Sequence, residues 1–345
     1  MYRSILTAIA LLTAIIVAQS ASAFDEVIRK STEKTSKGTV KSVTKEVVSM
    51  EDGVGKTFEV PANDIIGIKY TSEPPDVNLG RGKASAGNFD GALEDFAKAS
   101  SSDDNISAEI DYLVAATIAR KALEQDASTL ADAAAKLTAF SSKHPNSYQF
   151  YNAKLLLGQV QLAQEAYAEA AGTFGALEAA PWADYQMAAK NNKAKLALRQ
   201  GQLPQALTAY EAVLALPANS PGEVSRRNEA LLGKAAVQLQ QNNSAEALNS
   251  VKEAIAAADP EDSAVQAEAW ILKGDCLRAA GETKKAILAY LHVPLLFEKE
   301  KVHLPRALYH LSVLWPTVDQ VERGVAARTE LQTSFPDNEW TQKLQ

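Results

Sequence analysis

The sequence predicts a mainly α-helical protein, an array of about six to seven stacked helical hairpins preceded by a small β-module. Three observations carry that prediction. The chain is rich in Ala, Leu, Gln and Glu and only 7% aromatic, a mix that favours helix and starves large sheets. Residues 24–70 alternate β-branched and polar side chains between turn signals, and the rest of the chain does not. From Ala92 onward a small residue followed four positions later by a larger, mostly aromatic or branched one recurs at a near-regular distance.

Before the β-module, Arg3 supplies a positive start, Ile5 to Ala18 an apolar run, and Ala21-Ser22-Ala23 a small-x-small cleavage site. Residues 1–23 therefore read as a signal peptide cleaved after Ala23, which makes the mature protein periplasmic or extracellular. The apolar run is about 14 residues, short of the roughly 20 a spanning helix needs. Cys276 is the only cysteine, so the sequence predicts neither an internal disulfide nor a lipid-anchored mature N-terminus. A formal charge of −7 argues against nucleic acid, whose binding is dominated by Lys and Arg neutralising phosphates.

Residues 24–72 form the expected β-module. Gly38-Thr39-Val40, Val47-Val48, Phe58-Glu59-Val60 and Ile65-Ile66-Gly67-Ile68 are its strand signals, with a turn at Asp52-Gly53. Three or four strands of this length bury little surface, so a meander or SH3-like half-barrel leaning on the helices is expected. Pro74-Pro75 marks the boundary, and residues 76–345 form the helical repeat domain.

The repeat itself is carried by Ala92/Phe96, Ala133/Leu137, Ala170/Phe174, Ala206/Tyr210, Ala247/Val251 and Ala286/Tyr290. Neighbouring alanines are 41, 37, 36, 41 and 39 residues apart. Twelve residues before four of them stands another small residue, Gly80, Gly158, Ala194 or Gly274; in the second and fifth units Ala119 and Gly233 stand fourteen before. Each unit then consists of two helices crossing at small residues, which is what lets helix axes approach to about 8 Å. Gly87, Gly201 and Gly281 mark the turns, and Pro145, Pro181, Pro217, Pro260 and Pro336 the exits.

These residues resemble the tetratricopeptide repeat. Leu79-Gly80, Gly87, Phe89, Ala92, Phe96 and Ala99 follow its pattern, as do Leu157-Gly158, Tyr167, Ala170 and Phe174, and then Trp270, Gly274, Gly281, Ala286 and Tyr290. The likeness covers about Asp76 to Val293, with a divergent seventh unit from Arg306, and the pitch exceeds the family's. Combined with a signal peptide, it is similar in architecture to bacterial envelope-associated repeat proteins. The resemblance implies a non-enzymatic scaffold that binds a protein or peptide on its concave face. The family's carboxylate-clamping residues are matched only at Asn192 and Arg227; Leu155, Gln159 and Leu231 stand at the other positions, so that clamp is not carried over.

No catalytic, cofactor or metal site is expected. Gly53-Val54-Gly55-Lys56-Thr57 imitates the end of a phosphate loop but has Met50 where the motif needs Gly and lies between strands. His303 and His310 are separated by a helix-breaking Pro305, and Cys276 lacks a neighbouring His. The candidate partner site is a polar and basic cluster in the first helices of units four and five: Asn191, Asn192, Lys195, Arg199, Arg227 and Lys234. Within an acidic chain it suits an acidic peptide or a chain terminus. A second basic stretch, Arg29, Lys30, Lys34, Lys37, Lys41 and Lys45 in the β-module, suits an anionic envelope polymer or membrane surface. Self-association through the open end of the array is the further alternative, and a hydrolytic site between β-module and helices requires convergent carboxylates near Tyr70.

Overall fold

The computed structural model describes residues 24–31 and 35–344. The signal-peptide reading of residues 1–23 and Lys34 of the basic stretch lie outside the described residues.

Among the described residues five strands, β1 (Asp25–Arg29), β2 (Ser36–Val43), β3 (Val47–Glu51), β4 (Thr57–Pro61) and β5 (Ile65–Lys69), form one antiparallel sheet ordered β4-β3-β2-β1-β5. A single 3-10 turn, Ala62–Asp64, joins β4 to β5, and β5 returns to pair with β1, Val27 opposite Ile68. This is an SH3-like arrangement, and the strand beyond the four sequence signals is β1, whose Asp25-Glu26-Val27-Ile28-Arg29 has no flanking turn signal to set it off. Its inward face is Val27, Val48, Met50, Val60, Ile65 and Ile68, all at most 1% exposed.

Seven helical hairpins follow: α1 (Pro75–Ser85) with α2 (Phe89–Phe96), α3 (Asp104–Glu124) with α4 (Leu130–Lys143), α5 (Phe150–Ala163) with α6 (Tyr167–Leu177), α7 (Ala183–Arg199) with α8 (Leu203–Leu214), α9 (Pro221–Gln240) with α10 (Ser244–Ala257), α11 (Ser263–Ala279) with α12 (Thr283–Leu296), and α13 (Leu304–Leu314) with α14 (Val321–Ser334). A short helix, α15 (Glu339–Gln342), folds back on the last hairpin. Pro75 sits in the first turn of α1, where a missing N–H costs nothing.

The crossings are as tight as the small residues allow. A Cβ on Gly80 would lie 2.3 Å from the Phe96 ring, on Gly158 2.4 Å from Phe174 and on Gly274 2.5 Å from Tyr290. Gly233 departs from expectation: it faces Tyr210 of the preceding hairpin, 2.2 Å from a built Cβ. The crossing residue of the fifth unit is Ala235, fully buried among Ala247 and Val251, which restores the twelve-residue spacing. The second unit keeps Ala119 because a 3-10 turn, Ala127–Thr129, lengthens its connection.

Gly87, Gly201 and Gly281 do adopt left-handed backbone at φ +77°, +73° and +77°, but Glu165, Asn242 and Asp319 take the same conformation, at φ +60°, +62° and +60°, in hairpins three, five and seven; hairpin two turns through its 3-10 segment instead. The left-handed turn thus recurs in six of the seven described hairpins, filled by different residues.

The β-module is fixed to the first hairpins by a shared apolar cluster, with Val77, Ile106, Ile110 and Tyr148 packed among its core residues. A buried polar knot reinforces it. Arg81 donates to Glu73 at 2.7 Å, to Glu109 at 3.0 Å and to the carbonyl of Ile68 at 2.9 Å. Tyr148 donates to Glu109 at 2.6 Å and accepts from the Ile68 amide at 3.2 Å. The outer edge of β5 is thereby covered rather than left to pair with another strand.

The array curls far enough that Glu124 and Gln125, at the turn of hairpin two, line one cleft of about 300 Å³ together with Lys301, just before hairpin seven, and Ser334–Asn338, at its end.

Candidate functional site

The first helices α7, α9, α11 and α13, with Gln159 of α5, open onto a common trough of about 1000 Å³. On α9 the stripe is Glu229, Gly233, Ala236 and Gln240, at helical spacing. The residue after each crossing residue faces the trough in four successive units: Gln159, Lys195, Ala236 and Asp275. His303, which precedes α13, Arg306 and His310 of α13, and Trp340 of α15 close its far end.

Of the six residues singled out from the sequence, Asn191, Asn192, Lys195 and Arg199 line the trough. Asn191 is 5% exposed and Asn192 8%, and both are braced: Asn191 Nδ2 donates to the Arg226 carbonyl at 2.7 Å, and Asn192 Nδ2 to that of Ala188 at 2.8 Å. Arg227 and Lys234 fall off the α9 stripe and do not line it. Arg227 donates to the carbonyls of Leu214 and Leu216 at 2.7 and 3.3 Å, satisfying the end of α8, and Lys234 pairs with Glu211 at 3.0 Å.

The far end was not legible in the sequence. There Asp275, 6% exposed, accepts from the Tyr290 hydroxyl at 2.6 Å and from Arg306 Nη2. The His310 ring stacks on Tyr290 with centroids 4.7 Å apart, and its Nε2 lies 3.5 Å from Asp275 Oδ1. Trp340 is held between Arg306, 5.6 Å from its centroid, and Lys343, 3.7 Å from it. Pro305 does not separate the two histidines, because it occupies the first turn of α13, which starts right after His303. Among the described residues no group of three or more metal-ligating side chains is assembled.

Burial pushes the His310 imidazole down to about 4, outweighing the Asp275 carboxylate beside it. The unfolded chain takes up this proton near pH 6.5, the folded one only near pH 4. Between those values the unfolded state binds more protons, so the contribution is present above pH 6.5 and is lost as pH falls towards 4. Denaturant unfolding at pH 7 and pH 4.5 should show wild type losing about 2 to 3 kcal/mol more than His310→Phe, which keeps the stack. Equal losses would mean the ring is solvated.

A second cleft, about 450 Å³, lies beside Tyr70 and Tyr148, with Asp104 as the only carboxylate in its lining. The carboxylates that do meet near Tyr70, Glu73 and Glu109, lie outside this lining and are both bonded to Arg81. The basic stretch of the β-module is turned to internal use. Arg29 pairs with Asp64 at 2.6 Å, Lys37 with Glu26 at 2.6 Å and Lys41 with Glu51 at 3.1 Å. Lys30 lies 5.9 Å from the Tyr185 ring and Lys45 5.7 Å from that of Phe150.

Residues 191–263 and 232–293, the segment that builds most of the trough, match the family model of the tetratricopeptide repeat. The fold is a tetratricopeptide-type solenoid. Among solved structures, the tetratricopeptide array is similar to a Rap protein complexed with competence and sporulation factor, at 13% identity over 78% of this chain and 79% of that one, with a TM-score of 0.50. It is also similar to the apo form of the quorum sensor NprR from B. thuringiensis, at 16% identity over 74% of each chain, with a TM-score of 0.51. No curated protein matches the chain. Among the described residues of the tetratricopeptide array and its β-module, no helix is long and apolar enough to cross a membrane.

Proposed function

We propose that this protein is an extracytoplasmic interaction scaffold that holds a segment of a protein partner in the concave trough and performs no chemistry on it. The observation that carries the reading is the continuity of the trough: residues of five successive first helices, α5 through Gln159 alone, share one open surface, the form in which repeat arrays present extended binding faces. The Rap protein of like fold was crystallised with a bound factor, which accords with it. Export rests on residues 1–23 alone.

Cross-linked capture from the cell envelope tests both parts. The native protein, whose intact mass should begin at Phe24, is expected to trap a partner that Lys195→Glu/Arg199→Glu loses. Lys193→Glu, altering a cation that pairs with Glu178 at 3.1 Å away from the trough, should retain it. Equal capture by all three would remove the trough from consideration. A second reading, self-association, is favoured by the exposed Leu288, Leu295, Leu296, Val313, Val321 and Val325 on the last two hairpins. Mass that rises with concentration in sedimentation would support it.

A further inference from the structure

The trough's charges are divided in a way that describes its occupant. Seven charged side chains line it. Four are committed to the wall: Glu229 is paired with Arg226, while Asp275 holds Arg306 and lies 4.0 Å from Arg278. Among the described residues the other three, Lys195, Arg199 and Glu268, make no salt bridge or hydrogen bond, and Lys195 and Glu268 act in opposite senses on the His303 ring nearby. They are also sorted by sign. Lys195 and Arg199 stand one turn apart on α7, where like charges repel and gain nothing within the fold. Glu268 stands on α11, half-buried, where an unpaired carboxylate is costly. Between them α9 presents Ala236, a low floor over which a peptide backbone can pass, with the Tyr210 ring packed against Gly233 beside it.

From this we infer that the partner segment is extended, lies across α7, α9 and α11, and carries an acidic residue against Lys195 and Arg199 and a basic one against Glu268. The inference rests on the trough being the binding face. Neighbouring helix axes lie about 8 to 10 Å apart, so the two walls are separated by at most about 20 Å. An extended chain rises about 3.3 Å per residue, which puts the two charged residues about four to six positions apart.

Selection of phage-displayed random dodecapeptides on the full chain tests this without a known ligand. Enriched peptides should pair Asp or Glu with Lys or Arg at that spacing in one consistent order. Synthetic copies should bind at least about ten-fold more weakly to Lys195→Glu/Arg199→Glu and to Glu268→Lys, as expected when a charged contact becomes a repulsive one. The variant carrying all three reversals should recover binding to peptides with the charge order inverted, a result that a misfolded trough cannot give. Enrichment without the pattern, affinity indifferent to Glu268→Lys, or no enrichment at all would overturn the inference. Capture of a partner dependent on Lys195 and Arg199, with no such pattern in the peptides, would leave the scaffold reading standing by itself.

Discussion

Ala170→Arg is expected to lower stability by at least about 3 kcal/mol, because the site offers neither room nor a partner for a guanidinium. Ala170 is fully buried between α5 and α6, in the cluster that holds Phe174, Tyr151 and Leu155. The same crossing brings Gly158 against the Phe174 ring, so neither helix can retreat without opening the neighbouring interface. Denaturant unfolding compared with Ala171→Arg, one residue along the same helix, makes the measurement specific to the crossing. An unchanged midpoint for Ala170→Arg would show that the hairpin register is wrong.

Arg81→Ala should cost about 3 to 5 kcal/mol, the range for removing one member of a buried ion pair. Glu109, whose side chain is 2% exposed, would be left with the Tyr148 hydroxyl as its remaining hydrogen-bond partner, and the Ile68 carbonyl would lose its donor. The damage should be local to the attachment of the β-module. Hydrogen exchange at the Ile68 amide should accelerate while amides of α11 and α12 keep their protection. Replacing the pair together, as Arg81→Met/Glu109→Leu, should recover much of the loss, since a buried pair is often no better than apolar side chains of similar volume. Full destabilisation in the double variant would place the energy in Glu73 instead.

What the sequence revealed and what it hid divide along a physical line. Alanine and glycine at a fixed distance from Phe or Tyr are demanded by local packing, so the hairpins could be read from Ala92/Phe96 or Gly274/Tyr290. The partner of Gly233 could not, because Tyr210 belongs to another hairpin and only the stacking of hairpins brings them together. Glu165, Asn242 and Asp319 gave no turn signal of glycine type, as the geometry is imposed by the two helices they join. Arg227 and Lys234 were grouped with Lys195 by composition, yet helical phase decides which way a side chain points, and each residue shifts that phase by about 100°. Phase was available in the residue following each crossing alanine or glycine. The far wall of Glu268, Arg306 and Trp340 was not, because it depends on how strongly the array curls.

That curl has a mechanical consequence. Between hairpins two and seven there are five hairpin-to-hairpin joints, and the cleft bounded by Gln125 and Asp337 spans all of them. Rotations too small to alter any one interface add up around the superhelix and appear at this opening as a change in width. The width of that opening is therefore set by the sum of all five joints rather than by any contact made at the cleft itself.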